Sequence, residues 1–299
     1  MYIHFDHKEK FANQISSTEF KLENGINIKI NEENLNAGIV LSTKTEVDIY
    51  IPRFFERQSK KYLITYIDSR AFYLNKDIKS LRFSEDSGIL GIGDSAFSES
   101  TIEKLLIPAN LRELGKRWCS FSNNLFHIEV SPRNQHFILK EKFLIGKSST
   151  NGIFDTLLFS CRDIGSDIEI LSEIQYIAPY AFDSCKNIKN ISFHICSKLK
   201  IIDDHAFYKC SNLENISAIP CSVVKIGFQS FMFSSKLKSI EFLSDEIYLC
   251  EYSFSYCSCL VLASFPSAKK VSINIKAFYK CQKDFSIMIN SNAEINSKG

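Results

Sequence analysis

The ten cysteines and six histidines have the widest chemical repertoire in this 299-residue chain, and their spacing decides what they can do. Cys185, Cys210, Cys257 and Cys281 each follow a repeated aromatic dipeptide by the same interval. In adjacent turns of a stacked fold their Cα atoms would lie near 5 Å apart, within disulfide reach. Asn75, Ser100, Ser122 and Ser234 occupy the same slot in other copies, so the slot reads as small, buried and weakly hydrogen-bonding, and its cysteines as reduced structural thiols. Cys257-Ser-Cys259 has no second Cys/His pair at zinc-finger spacing. His4-Phe-Asp-His7 reads as solvated sequence rather than as a metal site. Gly88-Ile-Leu-Gly-Ile-Gly93 lacks the Lys-Ser/Thr of a phosphate-cradling loop, and its isoleucines belong to the repeat frame. Asn190-Ile-Ser192 and Asn215-Ile-Ser217 match the glycosylation acceptor pattern, but their middle Ile is a core position. No spacing singles out a nucleophile, a carboxylate pair or a ligand set. The chain reads as non-enzymatic, with no catalytic residues, no cofactor and no metal.

What positions these residues is a repeat. Ala-Phe or a near variant occurs at Ala71-Phe72, Ala96-Phe97, Trp118-Cys119, Ala181-Phe182, Ala206-Phe207, Ser230-Phe231, Ser253-Phe254 and Ala277-Phe278, at intervals of 25, 22, 63, 25, 24, 23 and 24 residues. The long interval is close to three short ones, which places two degenerate turns between residues 130 and 170. Four residues before each Ala slot stands an aliphatic residue: Ile67, Ile92, Leu114, Ile177, Ile202, Ile226, Leu249 and Ile273. After the small slot comes a Leu-x-x-Ile-x-Phe pattern, as at Leu237, Ile240 and Phe242.

The second half of each unit ends in the alternation of a short strand, and the first half has the wider apolar spacing of a helical turn. A strand plus a short helix or 3₁₀ turn in about 24 residues cannot bury a face alone, so copies must stack. The expected fold is an α/β repeat solenoid, a curved leucine-rich-repeat rod. Phe72, Phe97, Phe182, Phe207, Phe231, Phe254 and Phe278 should form its structural ladder, and Trp118-Cys119 should distort it locally. Residues 1–52 read as a polar segment followed by a β capping hairpin, 53–290 as repeats with an irregular stretch at 131–170, and 291–299 as a polar tail.

Together, Ile-x-x-Ile-x-x-x-Ala-Phe-x-x-Cys and Leu-x-x-Ile-x-Phe resemble the BspA-like, or Treponema pallidum-type, leucine-rich repeat family from about Thr45 to Ile289. The copies at 174–193 and 199–220 match best. The opening, with Asn36-Ala-Gly-Ile-Val-Leu, Ile49-Tyr-Ile-Pro-Arg and Tyr62-Leu-Ile-Thr-Tyr-Ile-Asp-Ser-Arg-Ala-Phe, is similar to protist surface-protein members. The resemblance implies adhesion or antigen roles at a surface and no shared catalytic residues.

Strand side chains alternate, so the non-core positions face outward. In the amino-terminal half they include Arg82, Lys104, Leu106, His127 and Glu129, a mixture of charge, imidazole and apolar surface suited to recognition. The second candidate is the irregular stretch, with Lys147 and Asn151 at the loop Lys147-Ser-Ser-Thr-Asn-Gly152.

Composition narrows the partners. The net charge is +2 with interspersed signs, which disfavours nucleic acid. No segment has the apolar length of a membrane span, and the charged start is unlike a secretory leader. The partner is expected to be a protein or a glycan. The sequence leaves two settings open: a surface adhesin, as the resemblance implies, or an intracellular scaffold, as the charged start and the reduced thiols suggest.

Overall fold

A computed structural model describes residues 17–22, 24–42, 44–149 and 152–298. The chain divides into two compact units, Met1–Leu139 and Lys140–Gly299.

In the first unit the strands Ser17–Lys21, Asn27–Asn31 and Asn36–Val40 form an antiparallel meander. Its last strand pairs in parallel with Lys60–Ile67, which is followed in the same sheet by Gly91–Ile92 and Glu113–Leu114. A second sheet contains Asp48–Ile51, Ser80–Phe83, Lys104–Ile107 and His127–Val130, all parallel. The core lies between, filled by Ile39, Ile67 and Ile92 from one sheet and Ile49, Leu81 and Leu105 from the other. Gly91 makes room for the Tyr66 ring, and a Cβ at Gly93 would overlap the backbone of Ser69, so these glycines serve close packing between turns.

The second unit starts with an antiparallel hairpin, Phe143–Lys147 and Phe154–Ser160, inside the stretch read from sequence as irregular. Parallel strands then add in order: Tyr176–Ile177, Ile201–Ile202, Lys225–Ile226, Glu246–Leu249, Lys270–Asn274 and Glu294–Lys298. The last lies in the segment read as a polar tail. Facing them are Asp167–Ile170, Asn190–Phe193 and Asn215–Ile216, then Ser239–Glu241, Leu262–Phe265 and Ser286–Ile289, again parallel.

The expectation of an α/β solenoid with a short helix or 3₁₀ turn in each unit is overturned. Among the described residues there is no helix, and the architecture is a β-solenoid. The reason lies in where the backbone N–H groups point. Around Phe72, Ala71 N–H, Tyr73 N–H and Asn75 N–H donate three residues back, to Asp68, Arg70 and Phe72. The intervening Arg70, Phe72 and Leu74 N–H groups donate to Asp94, Ala96 and Ser98 in the next turn. The same alternation surrounds Phe182 and Phe207. A helix needs successive N–H groups to bond within the segment, and here every second one is committed to the neighbouring turn. Left-handed residues bracket the Ala-Phe pairs, as at Arg70 (φ 62°) and Leu74 (φ 58°), or His205 (φ 57°) and Lys209 (φ 58°), except the last, Ala277-Phe278, which is followed by one at Lys280 (φ 56°). Each costs about 1–2 kcal/mol and interrupts any right-handed run. The apolar spacing that suggested a helix is the spacing of this doubly bent turn.

The phenylalanines that follow the Ala slot stack in a column within each unit. Phe72 and Phe97 stack at 5.1 Å in the first. In the second, Phe182–Phe207, Phe207–Phe231, Phe231–Phe254 and Phe254–Phe278 stack at 4.6, 4.9, 5.0 and 5.4 Å. Phe143 closes one end edge-on against Phe182. Trp118 and Cys119 are both buried where other copies have Ala-Phe.

Candidate binding surface

The second sheet of the first unit sets its side chains by alternation. Ile49 and Ile51, Leu81 and Phe83, and Leu105 and Ile107 point into the core, so Asp48, Tyr50, Arg82, Lys104, Leu106, His127 and Glu129 lie on the opposite face. The parallel register aligns Asp48, Ser80, Lys104 and His127 in one row. It places Tyr50 beside Arg82, and Leu106 beside Glu129. Neighbouring strands are about 4.8 Å apart, so each row is a line of closely spaced groups on a rigid support.

The face is chemically mixed. Ser80 Oγ donates to Asp48 Oδ1, which fixes the carboxylate at the sheet's edge. His127 Nε2 lies 2.8 Å from Glu129 Oε1, across one pleat of the same strand. Both of these side chains are more than half exposed, so the pair is hydrated and available. Leu106 is half-buried, whereas Tyr50 presents 55% of its surface to solvent. The structure thus brings Arg82, Lys104, Leu106, His127 and Glu129 onto one surface. Sequence reasoning missed Tyr50 and Asp48. The signal that could have found them is their alternation with the buried Ile49 and Ile51, inside the stretch read as a capping hairpin.

Lys147 belongs to the second unit, at the end of the hairpin strand Phe143–Lys147, with its ammonium 4.8 Å from the centre of the Phe154 ring. Asp155 accepts hydrogen bonds from Ser148 N (2.8 Å) and Ser148 Oγ (2.7 Å), tying the base of the loop. Asn151 lies outside the described residues, as do His4 and His7.

The small slot proves to be a hydrogen-bonding position. Cys210 Sγ, Cys257 Sγ and Cys281 Sγ donate to the carbonyls of Phe182, Phe231 and Phe254 at 3.1, 3.2 and 3.2 Å. Ser122 and Ser234 do the same to Phe97 and Phe207. Cys185 instead accepts from Arg162 Nη1 at 2.9 Å, while Arg162 Nη2 pairs with Asp183 Oδ1 at 2.6 Å, both side chains almost fully buried. Burial pushes the Cys185 thiol up despite the guanidinium, so this cluster holds a protonated thiol rather than a nucleophilic thiolate. Among the described residues no group of three or more His, Cys, Asp or Glu converges as a metal site. No helix there is long and apolar enough to cross a membrane.

Parallel turns of about 24 residues, stacked aromatic columns and an outward row of variable side chains define a leucine-rich-repeat type of β-solenoid. The model of the BspA type leucine-rich repeat region matches residues 58–144 and 152–284 in six copies, and the chain belongs to that family. Solved structures share the fold. One is a leucine-rich cell surface protein from Faecalibacterium prausnitzii, 17% identical, with a TM-score of 0.56 over 95% of this chain and 96% of that one. Another is a leucine-rich repeat protein from Eubacterium ventriosum, 18% identical, with a TM-score of 0.59 over 92% and 85%. No curated protein matches the chain.

Proposed function

We propose that the chain is a non-enzymatic recognition module that binds a protein or glycan at a cell surface through the outward face of the first unit's four-strand sheet. The observation that carries this reading is the alignment of Tyr50 and Arg82, Lys104 and His127, and Leu106 and Glu129 in register on a rigid parallel sheet. Family membership supports a binding role, and the name of the Faecalibacterium prausnitzii protein supports the surface setting.

The test replaces Arg82, Lys104, Leu106, His127 and Glu129 together by Ser. Binding of wild type and variant is measured on arrayed glycans, extracellular proteins and intact cells. The expected result is loss of the wild-type ligands with little change in melting temperature, since exposed substitutions usually cost within about ±0.5 kcal/mol each. Unchanged affinity for the same ligands would remove the sheet face from the account.

A second reading, an intracellular scaffold, draws on the exposed free thiols of Cys196, Cys221 and Cys259. Free thiols of that kind persist in reducing compartments. Protease treatment of intact cells separates the two settings: digestion of the chain supports the surface, protection the scaffold.

A further inference from the structure

The first unit contains a second feature, apart from the outward sheet face. The turns that follow its four parallel strands enclose an open cleft of about 570 Å³. Arg53 comes from the first turn, Glu85 and Asp86 from the second, Arg112 from the third and Arg133 from the fourth. Leu90 and Ala109 add apolar surface, and the amides of Asn110 and Gln135 reach the same space.

These turns are held in place by buried polar bonds. Asn134 Nδ2 donates to Pro108 O (2.7 Å) and Leu111 O (2.9 Å), and its Oδ1 accepts from the backbone N of His136 and Phe137 at 2.8 Å each. Asn110 Nδ2 donates to Ser87 O at 2.8 Å. The cationic groups are therefore carried on fixed backbone.

The guanidinium groups differ in how far they are satisfied. Arg53 Nη1 is bound to Asp86 Oδ2 at 2.7 Å, and this bond holds the Asp86 carboxyl below its usual range. Arg112 reaches Glu113 only through Nε, at 3.6 Å, which leaves its terminal nitrogens for another acceptor. Arg133 has no ion-pair partner among the described residues, and neither has Glu85. The cleft thus offers two donor forks for an oxyanion beside one carboxylate and two amides that can accept hydrogen bonds from hydroxyls.

The geometry points to this cleft as a binding site for an acidic carbohydrate, a uronic or sialic acid residue. Its carboxylate takes the bidentate donors of Arg112 and Arg133. Its hydroxyls donate to Glu85 and to the amide oxygens, and its C–H surface lies on Leu90 and Ala109. An acidic peptide satisfies the arginines equally well, but its carboxylates meet Glu85 without hydroxyls to offer it.

The experiment titrates the full chain with glucuronic acid and N-acetylneuraminic acid by calorimetry or NMR. The comparison ligands are their neutral methyl esters, hexaglutamate and inorganic phosphate. Wild type should bind an acidic sugar, with at least a tenfold loss on esterification and at least a tenfold loss in the R112Q/R133Q double variant at unchanged melting temperature. The five-residue Ser variant of the sheet face should retain this binding, which separates the fate of the cleft from that of the proposed function. Absence of binding to both acids, equal binding by the double variant, or hexaglutamate or phosphate binding as well as the sugars would each overturn the assignment.

Discussion

Cys210 donates its thiol hydrogen to the carbonyl oxygen of Phe182, one turn earlier in the stack, at 3.1 Å. The contact joins the small slot of one copy to the aromatic column of the preceding copy, and it explains why Cys and Ser interchange there: both are small and both donate.

Burial raises the thiols of Cys185, Cys210 and Cys257 above the usual value of 9.0, and that of Cys281 to about 11. Native protein treated with iodoacetamide at pH 8 should therefore be labelled at Cys196, Cys221 and Cys259, while Cys185, Cys210 and Cys257 react only after unfolding. The linkage also has a sign. An unfolded thiol ionises near 9 and the buried ones only at higher pH, so their contribution to stability should be constant below pH 9 and decline as pH rises further. Mass spectrometry of labelled peptides and melting curves from pH 7 to 10.5 check both. Rapid native labelling of Cys210 would refute the slot as a buried donor.

Phe207 lies between Phe182 and Phe231, with ring centroids at 4.6 and 4.9 Å, and is fully buried. Phe207→Ala removes two stacking contacts and leaves a cavity that parallel strands cannot close without breaking their register. The expected loss is about 3–5 kcal/mol, read as a lower denaturant midpoint. A midpoint equal to that of wild type would mean that the column is not what holds the turns together.

Asp68 sits against Gly38 of the amino-terminal meander, where an added Cβ would come within 2.8 Å of its Oδ1. Burial pushes its carboxyl up to about 6, with Lys29 opposing the shift and Glu19 adding to it. A carboxyl whose folded pKa is raised destabilises the fold when ionised. The penalty is absent below the unfolded value of 3.8, grows between 3.8 and about 6, and is complete above that. Asp68→Asn should therefore raise the melting temperature at pH 7.5, by a stabilisation on the order of 1–3 kcal/mol. It should also flatten the pH dependence between 4 and 6 on this scale, where other carboxylates share the background. A lower melting temperature at pH 7.5 would show that the ionised carboxylate is needed.

Much of this protein was legible in the chain itself. The recurring Ala-Phe pair and the aliphatic residue four positions before it set the period, because every copy must place the same apolar groups in the same buried columns. The alternation around Ile49, Leu81, Leu105 and Ile128 also determined which side chains face outward, since successive residues of a strand alternate sides whatever the neighbouring turns do. The tertiary structure decided what lay between. The Ile-x-x-x-Ala-Phe spacing fits a helical turn and a doubly bent turn equally well, and it became the latter because the N–H groups of Phe72, Phe182 and Phe207 find carbonyls in the next copy. Likewise, Arg53, Arg112 and Arg133 have no common spacing. They share one cleft because stacking places the ends of their strands side by side, a relation between turns that no local pattern encodes.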